Sequence, residues 1–412
     1  MSVVSIPFIH GDRLNHNLDT LAEIGKLPQG GVRRISFSQE DQLARQLVKN
    51  WMEEAGMTTC IDAAGNLIGR YPGHQNLPSL ATGSHIDTVP SAGRYDGTLG
   101  VLAGIEVVRA LKFNHITLNH PVEVIVFTDE ENTMIGGKAI AGTHHSDPAY
   151  YQQKDGLTIQ ERLKRVGGDW EAIATARRNR DDMAAFVELH VEQGGVLESK
   201  QAEIGVVEGV VSMNRYTLSV TGIPNHAGTT PMDMRQDALV AASQIVLTVN
   251  QLANYLPGDQ VATVGMMNVW PNATNIVPGR VDLSLDIRDL YAENVEALVK
   301  RLVEQIDAIA QQTGTKIELE QTLNAEPTLS SSKIMDAIAQ SCNAQEFSHI
   351  TLPSRAGHDA QEIGRVTDMG MIFVPSRGGV SHSEHEFTPP EQCTQGANVL
   401  LHTLIQLDTL YD

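Results

Sequence analysis

Residues 81–100 read ATGSHIDTVPSAGRYDGTLG, and the parsing of this stretch decides the architecture of the chain. Leu80, Ala81 and Thr82 form the end of a buried strand. The turn formers of Gly93-Arg-Tyr-Asp-Gly97 follow, and from Leu99 the pattern becomes helical. Positions i and i+2 of a strand share a face, so His85 and Asp87 would point the same way. A metal-ligating imidazole donates its other N–H to a carboxylate or carbonyl, and Asp87 is placed to accept it. Asp96, brought back by the turn, would be a separate ligand. Taken alone, the stretch fits a solvated strand-to-helix loop equally well.

Working outward, Leu43, Leu47, Val48 and Trp51 form a helical stripe within residues 38–56, preceded by Ser38 with Asp41 as an N-terminal cap. A strand pair spans 57–71, turned at Ala64-Gly65-Asn66. After the opening stretch comes a helix through Val101, Ile105, Val108 and Leu111. The short, β-branched run 122–127 is typical of a strand buried on both faces of a sheet. Strands alternating with helices give an α/β core. Thr128-Asp-Glu-Glu-Asn132 stands at the end of that buried strand, where open α/β sheets place ligands. A second strand, 186–190, ends in His190 with Glu188 two residues before it.

From about Ser212 the texture changes. Strand patterns at 211–220, 261–269, 281–287 and 316–321 are separated by helical patterns at 233–256 and 292–312. That strand–helix–strand–strand–helix–strand order predicts an inserted ferredoxin-like α+β domain. The expected division is 1–211 and 328–412 for the catalytic domain, with 212–327 inserted. A helix at 332–342, a strand at 370–375 and a helix at 390–407 complete the first domain. Met266, Met267 and Trp270 are expected to pack in a core.

With 412 residues, two domains are expected. The net charge of −20 disfavours nucleic acid and anionic membranes as partners. Cys60, Cys342 and Cys393 show no paired spacing and read as reduced, buried thiols of a cytoplasmic protein. No basic region followed by an apolar run opens the sequence, and no stretch of about 18 apolar residues occurs.

Set together, His85, Asp96, Glu131, His190 and His382 are five nitrogen and oxygen donors that suit two divalent ions bridged by one carboxylate, Asp96. Such chemistry needs a base for the attacking water, and Glu130 beside Glu131 can serve. His385 competes with His382; the Ser-His pattern favours His382, with Glu386 as the later acid. His144 and His145 read as loop residues.

GSHIDTV, RYDG, TDEE, ELHVEQG, NHAGTTPMDMRQDAL, NATNIVPG, AGHDAQ and PSRGGVSHSEHE occur here in this order. The chain thereby resembles the N-carbamoyl-L-amino acid hydrolases and allantoate amidohydrolases, within the di-zinc carboxypeptidase/aminoacylase superfamily, over nearly its whole length. The resemblance implies a di-metal exopeptidase-like catalytic domain with an inserted lid and dimerisation domain. It implies two divalent ions per subunit, zinc by family habit with manganese or cobalt as alternatives, and a homodimer through the inserted domain. It assigns Glu130 as general base, and Gln193, His226, Asn275, Arg288 and Gly357 to a small ureido carboxylate substrate. Arg288 has a physical rationale, since a guanidinium binds a carboxylate with two parallel hydrogen bonds. An aminoacylase or dipeptidase is disfavoured by HAGTTP, and a non-catalytic metal-containing protein by the retention of Glu130 and all five ligands. The sequence departs from the family pattern in the short loop after Glu131, at Ser212-Met213-Asn214 and at Arg355.

Overall fold

A computed structural model describes residues 7–153 and 155–411. Contacts divide the chain into one unit of residues up to Val210 together with Leu329 onward, and a second of Val211–Thr328. The first unit carries β1 (Thr58–Ile61), β2 (Leu67–Tyr71), β3 (Ser79–His85), β4 (Val122–Phe127), β5 (Met183–Val191) and β6 (Ile204–Val210). The second carries β7 (Met213–Thr221), β8 (Asn225–His226), β9 (Val261–Trp270), β10 (Ile276–Val277), β11 (Arg280–Arg288) and β12 (Lys316–Ala325). The chain returns through β13 (Thr328–Leu329), β14 (His349–Ser354) and β15 (Asp368–Val374).

The large sheet has the order β1-β2-β4-β3-β5-β15-β6-β13, with β14 also beside β6. Its centre is parallel: β4 with β3, β3 with β5, and β5 with β15. Helices cover it, so the central strands are buried throughout, and β4 shows no polar alternation. Glu123, inside β4, is tolerated because Arg70 and Arg178 donate to its carboxylate at 2.7 and 2.6 Å. Helix Thr98–Phe113 lies against the sheet, and Gly100 permits the approach: a methyl there would stand 2.3 Å from the Leu189 carbonyl.

Helix Gln39–Ala55 begins as expected, with the Ser38 side chain accepting from the Asp41 N–H, and ends at left-handed Gly56. Asp41 does not complete the cap box; it accepts from the Phe37 N–H and pairs with Arg45. The helix stripe is corrected as well. Leu43 is exposed, and Ala44, Val48, Trp51, Met52 and Ala55 make the buried face.

In the second unit the strands form an antiparallel sheet of order β12-β7-β11-β9, covered by helices Ala238–Tyr255 and Ala292–Thr313. On β11, Val281, Leu283, Leu285 and Ile287 are buried while the residues between them are half-buried, the period of two that its sequence displays. The first helix starts at Ala238 rather than near 233, because Asp237 caps it by accepting from the Leu239 and Val240 N–H groups. Met266, Met267 and Trp270 are exposed instead of packed, since β9 is an edge strand. Ser212 and Asn214 line a cavity of about 420 Å³ with Tyr216, Lys300 and Gln321. Cys60 is exposed, also against expectation, whereas Cys342 and Cys393 are buried; all three thiols are free. Among the described residues no helix is long and apolar enough to cross a membrane.

Candidate metal centre

The parallel strands deliver their carboxyl ends to one place, and the side chains singled out in the first unit gather there. His85 is the last residue of β3, Glu130 and Glu131 follow β4, His190 is the penultimate residue of β5, and His382 follows β15. Asp96 enters on the turn before helix Thr98–Phe113 and is buried among them. Its two oxygens face different partners. Oδ1 stands 3.2 Å from His190 Nε2 and 3.6 Å from His85 Nε2. Oδ2 stands 3.4 Å from His382 Nε2, which is itself 3.5 Å from Glu131 Oε2. Donor atoms of His85, Asp96 and His190, and of Asp96, Glu131 and His382, lie within 4.8 Å of one another, and Asp96 belongs to both groups.

The ring orientations fix which nitrogen faces inward. His85 Nδ1 lies 3.0 Å from the Asp87 carbonyl and His190 Nδ1 lies 2.8 Å from the Val191 carbonyl. A carbonyl only accepts, so both Nδ1 atoms carry hydrogen, and the Nε2 atoms are the ones that face Asp96. Among the described residues, the ion pairs of Asp96, Glu130 and Glu131 are all with histidines. Imidazole nitrogens and carboxylates therefore converge on a space that calls for positive charge.

The pKa directions express the same demand. Burial opposes charge on His190 and His85, but neighbouring carboxylates outweigh it: Asp96 pushes His190 up to about 9, and Glu130, Asp96, Asp87 and Glu131 hold His85 well above its ordinary value. Burial raises Glu130 to about 8 against the pull of His85, whose Nε2 is 3.6 Å from its Oε2. Imidazole nitrogens and carboxylate oxygens in two groups sharing one carboxylate fit a pair of divalent ions.

One orienting role differs from expectation. The chain turns directly after His85, so the Asp87 main-chain carbonyl reaches the ring and the carboxylate stands off at 3.8 Å. Asp87 Oδ2 instead accepts from the Ser36 hydroxyl at 2.6 Å and the Glu131 N–H at 3.3 Å, tying the end of β3 to the loop after β4. Glu188 accepts from Ser84 and the Ala360 N–H, and its carboxylate also lies within 4.8 Å of donor nitrogens of His190 and His358. Gln193 spends its amide on the cluster, donating to Asp96 Oδ2 at 2.8 Å. Gly357 is half-buried, and a methyl there would meet only Gln361, at 3.8 Å.

In the second unit, His226 is exposed and its Nδ1 accepts from the Gly228 and Thr229 N–H groups at 3.0 and 3.2 Å. That fixes the tautomer and leaves Nε2–H as an outward donor. The Asn275 carbonyl accepts from the Ala227 N–H, and β10 pairs with β8 so that Ile276 faces His226. Arg288 is held by Asp286, its Nε donating at 2.7 Å, and Asp286 also receives Arg215.

His385 lies outside both donor groups and His145 stacks on Tyr150. The sequence reading missed Ser381, whose hydroxyl lies 3.1 Å from Asp96 Oδ2, and His358, which packs against His190 with ring centroids 4.5 Å apart. Their adjacency to His382 and to Gly357 was the available signal, but serine and histidine in loops are too common to single out.

The profile described as peptidase family M20/M25/M40 matches residues 81–406. An N-carbamoyl-L-amino acid amidohydrolase of Geobacillus stearothermophilus is 39% identical over 405 residues, covering 97% of this chain and 99% of that protein. An allantoate amidohydrolase of Bacillus subtilis is 34% identical over 397 residues, covering 95% and 96%. The crystal structure of an amidase of the hydantoinase/carbamoylase family from Burkholderia multivorans superposes with a TM-score of 0.91 at 36% identity, covering 98% of each chain.

Proposed function

The chain belongs to peptidase family M20/M25/M40, and on that premise we propose that it is a metal-dependent amidohydrolase cleaving the ureido C–N bond of a small carboxylate. An N-carbamoyl-L-amino acid is the favoured substrate, supported by the higher identity to the protein of that name, and allantoate is the alternative. The observation that carries the reading is Asp96, whose two oxygens address two separate histidine sets.

His85 and His190 would hold one ion and Glu131 and His382 the other, with Asp96 shared; zinc, manganese and cobalt all suit these donors. When bound, the ions supply Lewis acidity, polarising the scissile carbonyl and making a water acidic enough to lose a proton near neutral pH. Glu130 accepts that proton and passes it to the departing amine nitrogen. The amine and a carbamate result, and the carbamate decomposes to carbon dioxide and ammonia. Asp87 keeps the His85 and Glu131 segments in register. His226, through Nε2–H, is assigned to the developing oxyanion, Arg288 to the substrate carboxylate, and Asn275, Gln193 and Gly357 to the rest of the substrate.

We assign the second unit as lid and dimerisation element. Supporting this, edge strand β9 exposes Met266, Met267 and Trp270, and helix Ala238–Tyr255 exposes Leu247 and Tyr255. Three free thiols suit a reducing cytoplasmic setting. Assays of metal-loaded protein against N-carbamoyl amino acids, allantoate, N-acetyl amino acids and dipeptides test the reading. Turnover of a ureido compound is expected, and none from any of them would refute it.

A further inference from the structure

We infer that Glu386, acting with Ser381, is a positioning residue that holds the shared carboxylate Asp96 between the two histidine sets; this rests on the two-ion reading above. Glu386 is buried, with 5% of its surface exposed. One carboxylate oxygen, Oε1, accepts the main-chain N–H groups of Tyr95 and Asp96 at 3.0 and 3.2 Å. The other, Oε2, stands 3.0 Å from the Ser381 hydroxyl, which is in turn 3.1 Å from Asp96 Oδ2. The backbone of Asp96 is thus held by a residue 290 positions away in sequence, and its side chain meets the Ser381 hydroxyl that stands between it and Glu386.

The grip also couples two ligands. Glu386 and His382 sit on one loop after β15, so the contacts that fix Asp96 fix His382 against it, at 3.4 Å. Room for this arrangement is reserved at Gly93, where a methyl would stand 2.3 Å from Glu386 Oε1 and 2.5 Å from its Cβ. A loop that only needed closing would not require a buried carboxylate. Here each oxygen has a task, and loss of the side chain leaves two amides without their acceptor.

Glutamine at this position keeps the acceptor for both amides and adds an N–H that can donate to Ser381, leaving the hydroxyl to donate to Asp96. Glu386→Gln should therefore retain the metal site, whereas Glu386→Ala should loosen it. Support around a ligand typically changes metal affinity by about 10–100-fold. The test titrates chelator-treated protein with Co²⁺ against a chromophoric competitor and records the visible spectrum of the cobalt-loaded protein. Glu386→Ala should bind at least one ion about 10-fold more weakly and shift the spectrum, Ser381→Ala should do so in part, and Glu386→Gln should match the wild type. An alanine variant with wild-type isotherm and spectrum, altered only in melting temperature, would overturn the inference. Should Glu386→Ala fail to fold, Ser381→Ala decides on the same criteria. A wild-type protein that binds no divalent ion would overturn the two-ion reading itself.

Discussion

Gly97→Ala tests the centre from an unexpected side. The residue sits at the start of helix Thr98–Phe113 with φ 63° and ψ −47°. An ideal Cβ there falls 2.4 Å from His85 Nε2 and 2.5 Å from both Cδ2 and Cε1. Non-bonded heavy atoms settle near ~3.5 Å, so the imidazole must retreat by roughly 1 Å. Metal–ligand distances tolerate only about 0.2 Å, which removes His85 from any coordination set. The backbone adds its own cost, of order 1–3 kcal/mol for a non-glycine residue in a sparsely populated conformation. Gly30→Ala separates the two effects: Gly30 has φ +96° and nothing within 4 Å of an added methyl, so it bears the backbone cost alone. Both variants should lose stability in chemical denaturation of the metal-free protein, Gly97→Ala the more because it adds the clash with buried His85 to the backbone cost. Only Gly97→Ala should lose Zn²⁺ affinity, by about 100-fold or more in a competition titration. Equal affinities in the two variants would refute the reasoning.

Glu130→Gln should lower kcat by about 10²–10⁴-fold while metal content stays that of the wild type; metal analysis alongside steady-state kinetics checks both halves. The metal-free protein should lose stability as pH rises from about 6 to 9. Burial and neighbouring charge raise Asp129 to about 7 and Glu130 to about 8, and His190 and His382 lie near 9, all above their unfolded values. The folded state therefore holds more protons across this window, and stability present below it is lost as those groups deprotonate. A melting temperature of chelator-treated protein that rises with pH over this range would contradict the argument. Saturating divalent metal should raise the melting temperature, with about 2.7 kcal/mol expected at 100-fold excess over Kd. Arg288→Lys should raise KM about 10-fold with kcat little changed, because a lysine cannot reproduce the two-pronged contact; a fall in kcat alone would speak against carboxylate binding.

Four of the five donor residues were legible because they stand at or near the end of a strong strand pattern, and parallel strands bring their ends together whatever their separation in sequence; Asp96 was legible from the turn formers around it. The β-α-β-β-α-β order of the second unit was legible for a similar reason, since the alternation 281–287 survives intact on β11. Features that depend on the path of a turn were not legible. The Asp87 carboxylate could be assigned to His85 only by assuming that the strand continued, and the turn after residue 85 reverses the roles of its carbonyl and side chain. Exposure of Met266, Met267 and Trp270 depends on β9 being at the sheet edge, a fact of strand order that local sequence does not contain. Strand β14, with mixed half-buried and exposed residues, gives no clear period and was missed.

The spread of the gathered donors along the chain has a consequence for biogenesis. They come from residues 85, 96, 131, 190 and 382, and His382 becomes available only after β15 has been laid beside β5. A chain emerging from the ribosome at about 5–20 residues per second spends tens of seconds with the first four donors made and the last one absent. During that interval the carboxylates of Asp96 and Glu131 lack the imidazole that completes their set. On the two-ion reading, loading with a full complement of ions would therefore be a late event, and a filled centre would certify that the sheet has been assembled through its last parallel strand.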